Sequence, residues 1–179
     1  LIGHAIRAMM PTMGRLAQSF AGLLIQDMIP YNVPSEQTVT TGQQGQAFPN
    51  ADLLNSEGHP FAVHRMIIRI LALDSEGLVL ATQPDIEVRE TLVKFRFVLQ
   101  GFNQPATKAP VRIGNLLGGT TSERYWRYEE PFVLPNSYGV LATIDCDAFP
   151  ATFAASGIIT LRVTINLQGY NLIVEKPNG

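Results

Sequence analysis

The chain has 179 residues, 46% of them apolar and only 16% charged, with 13 basic side chains against 15 acidic ones for a formal net charge of -2. A chain of this length buries on the order of two-thirds of its unfolded surface, and its charged share is below the roughly 25% of ordinary soluble domains, so disorder through most of the sequence is excluded. The charge balance gives no basis for a strong, sequence-independent grip on nucleic acid or anionic lipid. The lone Cys146 rules out an intrachain disulfide and a multi-cysteine zinc site.

From Leu1 to about Ile29 the apolar residues follow a helical period. Ile2, Ile6, Met9, Met13, Leu16, Phe20 and Leu23 recur at alternating steps of four and three, which draws one apolar stripe down a helix face. Pro11 ends or kinks that helix near Met10, so one bent helix and two short ones fit equally. Two destinations for the stripe stay open: this chain's own core, or a neighbouring subunit. Residues 1–29 are read as an amphipathic helical arm and the stripe as a candidate partner-binding surface. His4 and Arg7 interrupt the apolar run at the start, and no small-residue cleavage site follows, so the segment is not expected to be a secretory signal. No run reaches ~18 uninterrupted apolar residues, and no membrane span is expected.

Between Pro30 and Pro60 the pattern dissolves. Pro30, Pro34, Pro49 and Pro60 punctuate a polar run, Thr38 to Gln46, with few large side chains to bury. Gln37 to Thr41 suit one short edge strand. The remainder of 30–58 reads as an extended polar tether, because so long a connection is uncommon inside a compact domain.

From residue 59 to residue 179 the dominant period is two. Ile159, Leu161, Val163, Ile165 and Leu167 fall on one face of a strand, while Thr160, Arg162, Thr164, Asn166 and Gln168 fall on the other. Burying such aliphatics is worth roughly 1.5–3 kcal/mol each in transfer terms, and a register slip of one residue would turn all of them to water. Thr91 to Leu99 alternates likewise, and Phe61 to Leu73 is a long apolar run with Arg65 and Arg69 on one face. Further strands are expected at Leu78–Ala81, Glu123–Glu129, Phe132–Leu134, Gly139–Asp145 and Tyr170–Val174. Turns are expected at Asp74–Gly77 and Pro135–Gly139. Many strands with turn signals at short intervals, and no helical pattern between them, make the chain mainly β: an antiparallel β-sandwich, with the jelly roll as its favoured form.

No catalytic constellation is found. His59 and His64 flank Pro60 and Phe61 without the paired histidines, glutamate and later histidine of a metal-binding cupin. No serine elbow, phosphate loop or dinucleotide fingerprint occurs. Glu129 and Glu130 are adjacent, hence on opposite faces of a strand, and Asp145 and Asp147 fall at a strand's end, so neither pair spans a cleft. Cys146, between those two aspartates, is expected to have a raised pKa and poor nucleophilicity. The chain is therefore read as non-enzymatic, with no metal and no cofactor.

One cluster stands out. In the extended run from Glu123 to Glu130, Tyr125 and Arg127 share one face while Trp126, the only tryptophan, and Tyr128 share the other. Aromatics interleaved with arginine serve protein contacts, sugar platforms and single-strand binders alike. Packing of Trp126 into the core is the simpler alternative.

A helical arm, a polar tether and a sandwich that includes Glu130–Pro135, a turn and a long final strand over Gly157–Tyr170 resemble the jelly-roll structural proteins of tailed phages and other icosahedral viruses. That class is defined by architecture, so no site residue is carried over. The resemblance implies a virion subunit, made in the host cytoplasm, that assembles with copies of itself and with a major capsid protein in a decoration, cement or minor capsid role. The alternative is a carbohydrate- or receptor-binding sandwich using Tyr125, Trp126 and Tyr128.

Overall fold

A computed structural model describes residues 25–49, 58–99, 104–105, 110–112, 118–119, 124–135 and 139–174. The apolar stripe from Ile2 to Leu23 lies outside these residues. The described chain is mainly β. Its strands are β1 (Ile25–Thr40), β2 (Gln46–Ala47), β3 (Phe61–Leu73), β4 (Val93–Leu99), β5 (Gln104–Pro105), β6 (Val111–Arg112), β7 (Gly118–Gly119), β8 (Arg124–Leu134), β9 (Val140–Cys146) and β10 (Thr160–Val174). Two short helices, α1 (Ile86–Leu92) and α2 (Ala151–Ala155), interrupt them.

One sheet has the order β1-β10-β3-β8-β7 and the other β2-β9-β4-β5, with β6 also on the outer edge of β4; every pairing is antiparallel. The pairing is nested. β1 pairs with β10, β2 with β9, β3 with β8, and β4 with the two pieces β5 and β6. Lateral pairs β10–β3 and β9–β4 join these ladders into the two sheets.

A single hydrophobic cluster draws on both sheets. Val39, Phe61, Met66, Leu161, Val163 and Ile165 enter it from the first sheet, and Phe95, Phe97, Ala142, Ile144 and Cys146 from the second. This sandwich-like burial follows the period of two: Leu161, Val163, Ile165 and Leu167 of β10 are at most 1% exposed. Ile159, expected on that face, is instead 49% exposed. The strand begins one residue later, and Ile158, behind the left-handed Gly157, fills the core in its place.

The structure corrects four other readings. Residues 30–40 are not a tether but most of β1, paired along its length with β10. The prolines fit because they lie on an edge. Pro30 and Pro34 share the parity of Thr40, whose N–H and C=O both bond Gln43 instead of β10, so this parity points away from the ladder and needs no donor. Met28, on the same parity, donates its N–H to Asp27 Oδ1 at 2.8 Å. Leu78–Ala81 is not a strand: the Asp74–Gly77 turn forms, but the returning chain makes only a bridge between Leu73 and Val79. A helix, α1, occupies 86–92, where none was expected. Tyr170–Val174 is no separate strand and continues β10.

The second edge of β3 explains α1. Among the described residues, β8 accompanies β3 only from Phe61 to Ile68, and no other strand pairs with the rest of that edge. Gln83 takes the role of one: its Oε1 accepts the Ala72 N–H at 2.7 Å and its Nε2 donates to the Ala72 carbonyl at 3.0 Å. Arg89 of α1, only 6% exposed, donates through Nη1 to the Ile70 carbonyl and through Nε to the Pro84 carbonyl. Burial lowers the pKa of its guanidinium, opposed by the charges of Glu90 and Asp85.

Candidate functional site

Three irregularities meet at one level of the first sheet. The core-facing residues of β3 change parity along the strand, from Phe61 and Val63 to Met66, Ile68, Ile70 and Ala72. His64 is the extra residue: Gln168 pairs with Arg65 and the next residue, Gly169, pairs with Val63. On the other side of β3, Val63 pairs with Phe132 and Arg65 with Arg127, so residues 128–131 of β8 stand where β3 has only His64. Bulges of this kind bend a strand and re-aim its side chains, and they are common beside binding sites.

Gly169 lets the strands close around the bulge. A Cβ at this position would lie 1.9 Å from the Ala62 carbonyl oxygen and 2.8 Å from its carbon. Both are backbone atoms that cannot swing aside, so only glycine permits this approach.

The bulge opens a groove of about 580 Å³, lined by Pro30, Asn32, His64, Arg65, Gln168 and Tyr170, with the backbone of Tyr31 and Gly169 between them. Asn32, Gln168 and Arg65 form one cross-strand row on the sheet face away from the core, and Pro30 pairs with Tyr170 in the next row. Gln168 Oε1 accepts from both Arg65 Nε at 3.1 Å and Arg65 Nη2 at 2.6 Å, which fixes the guanidinium against the groove. Tyr170 packs against a small second apolar cluster of Met28, Ala62 and Leu172, with Ala62 as its cross-strand partner on β3. Among the described residues that line the groove there is no aspartate or glutamate.

The residues singled out in the sequence are distributed differently. Ile2, Ile6, Met9, Met13, Leu16, Phe20 and Leu23 fall outside the described residues. Tyr125, Trp126 and Arg127 lie on β8 in register with Ile67, Met66 and Arg65, and Tyr128 begins the unpaired excursion that also contains Glu129 and Glu130. His64 reaches the groove, whereas His59 precedes β3 and does not line it. Among the described residues, no group of three or more His, Cys, Asp or Glu side chains is placed to hold a metal ion, and no helix is long and apolar enough to cross a membrane.

Asp145 and Asp147 hold a loop. Asp145 Oδ1 accepts the Gly45 N–H at 2.8 Å, and Asp147 is 2.7 Å from Lys94 Nζ and 3.4 Å from Arg112 Nη2. Cys146 between them is fully buried, and its thiol pKa is pushed up from 9.0 to about 11, first by burial and second by the charge of Asp147. The sequence pointed in the right direction on the thiol but named the smaller cause.

Pro30, Asn32, Gln168, Gly169 and Tyr170 were not singled out in the sequence. One signal for the groove was present: the switch of apolar parity across His64 within the run from Phe61 to Leu73 marks a bulge. No protein-family model matches the sequence, and no curated protein matches it.

Proposed function

We propose that this chain is a non-enzymatic structural subunit of a virion, built on a jelly roll and assembling with copies of itself and with a capsid shell in a decoration, cement or minor capsid role. The observation that carries the reading is the nested strand order. Pairing first with last, second with second-last and so inward, then rolling those ladders into two facing sheets, is the plan of a jelly roll, a form used by viral capsid domains. The same form serves lectins and cupins, so architecture supports the reading without choosing among them. The apolar stripe read in the sequence from Ile2 to Leu23 suits assembly, since it offers a surface of the kind that a neighbouring subunit covers.

The test is the native mass of the full chain beside that of a chain beginning at residue 25, where β1 starts. The full chain should form a discrete oligomer or co-sediment with the capsid shell. The shortened chain should keep its β-type circular dichroism and lose that association. A full chain that stays monomeric at all accessible concentrations and does not bind the shell, or two chains that associate equally, would overturn the assembly reading.

A further inference from the structure

We propose that the acidic, apolar end of the first sheet, formed by residues 74–88 beside Ile159, is the surface on which the N-terminal segment of a second copy of this chain docks. The inference rests on the assembly reading and says where its contact is made.

Exposure comes first. Among the described residues five large apolar side chains are exposed, and four of them, Leu78, Val79, Val88 and Ile159, lie here. Leu73 joins two of these: Val79 is bridged to it on one side, and the Ile159 N–H donates to its carbonyl at 3.3 Å on the other. Asp74 Oδ1 accepts the Glu76 and Leu78 N–H groups, each at 2.9 Å, which fixes the Leu78 backbone before any partner arrives. Beside α1 lies a groove of about 570 Å³ lined by Leu71, Pro84 and Ile86, with Asp85 and Glu87 also in its wall. Its other lining residues are already bonded, Gln83 to Ala72 and Leu80, and Arg89 to the Ile70 and Pro84 carbonyls. The groove therefore offers apolar contact with carboxylates alongside.

Charge is the second part. Residues 74–88 contain four carboxylates, Asp74, Glu76, Asp85 and Glu87, and no basic side chain. Residues 1–24 are the complement. Beside the stripe from Ile2 to Leu23 they contain Arg7 and Arg15, and no aspartate or glutamate. An apolar stripe flanked by arginines suits an apolar surface flanked by carboxylates, with burial supplying affinity and the charges setting register.

Length assigns the segment to a neighbour. It joins the sheet at Ile25, which pairs with Val174. Thr40, at the far end of the same strand, pairs with Thr160, which in turn pairs with Leu73. The 16 residues of β1 thus separate the junction from the docking surface, about 50 Å along the strand at roughly 3.3 Å per residue. Drawn as the helix that its period predicts, the segment of residues 1–24 reaches about 35 Å. Its stripe falls short of this surface on its own chain and meets it on another.

The test is charge reversal with mixing, read by sedimentation velocity on full chains at low salt. Glu76→Lys with Glu87→Lys in one chain, and Arg7→Glu with Arg15→Glu in another, should each raise the concentration needed for assembly by about tenfold or more, with unchanged melting. An equimolar mixture of the two should assemble as the parent does, because each segment then finds a surface of opposite sign on the other chain. Leu78→Ser, at an exposed position, should weaken assembly by about tenfold with no change of charge. If removal of residues 1–24 abolishes association while the variants at Glu76, Glu87 and Leu78 associate like the parent, the proposal is overturned and the assembly reading stands. A mixture that stays dissociated also overturns it, as do variants at Glu76 and Glu87 that lose only the capsid shell and keep self-association, which would assign the surface to the shell. A full chain that is monomeric at all accessible concentrations overturns both readings.

Discussion

Substituting Gly169 by alanine tests the geometry on which the groove depends. The added methyl would stand 1.9 Å from the Ala62 carbonyl oxygen and 3.0 Å from the Val63 Cα, all within the β3 backbone. No rotamer relieves this overlap, so β3 and β10 must part at the bulge. Overpacking of this kind costs about 1–3 kcal/mol, and loosening a neighbouring ladder hydrogen bond adds roughly 1 kcal/mol. We expect a loss of about 3 kcal/mol, equivalent to about 6–12 °C in Tm for a chain of this size. Urea denaturation followed by circular dichroism measures it as a lower midpoint at an unchanged slope. Gly77→Ala is the control: nothing lies within 4 Å of its added Cβ, and only its φ of +77° opposes the change, for a cost of about 1–2 kcal/mol. A Gly169→Ala protein within about 0.5 kcal/mol of the parent, inside the range of ordinary surface substitutions, would refute the close approach and the bulge register together.

Other outcomes follow from buried groups away from the groove. Arg89→Met keeps much of the side-chain volume but leaves the Ile70 and Pro84 carbonyls without their donor; a loss of about 2–3 kcal/mol is expected in the same denaturation assay. Cys146 should resist iodoacetamide at pH 8 in the native protein and react in urea, read by mass spectrometry, because its thiol is fully buried and holds its proton up to about pH 11. The linked pH dependence has a definite sign: the unfolded thiol ionises near 9.0 and the folded one near 11, so the folded state retains the proton longer and stability falls as pH rises between those values. Cys146→Ala should remove that part of the decline, measured as the difference in urea midpoints between pH 8 and pH 10.5.

The central strands were legible because their two faces have opposite character. β3, β4, β9 and β10 each place aliphatic or aromatic residues at every second position, and core burial rewards that pattern directly. β1 hides the signal, since its inward set mixes Val33 and Val39 with Ser35 and Gln37 and its outward set contains two prolines. An edge strand tolerates both, but only the partner strand reveals that it is an edge. α1 escaped for a related reason: two of its three buried residues are Arg89 and Glu90, so it has no apolar period to detect. The apolar residues Leu78 and Val79 misled in the opposite direction, being 60% and 45% exposed at a hairpin end. At the site, His64 carried a readable sign in the parity shift around it. The need for glycine at 169 did not, because the atom that forbids a side chain belongs to Ala62, far away along the chain.

Among the described residues, no strand pairs with the outer margin of β1. A strand of 16 residues at a sheet's border would ordinarily invite stacking into fibres wherever many chains are made at once. Here Pro30 and Pro34 supply no hydrogen to that margin, while Asp27 and Gln43 occupy the amides of Met28 and Thr40. Among the described residues, Asn32, Glu36 and Thr38 lie between these blocks, too widely spaced to offer a continuous ladder. Backbone zippering from one such margin to another is thereby discouraged.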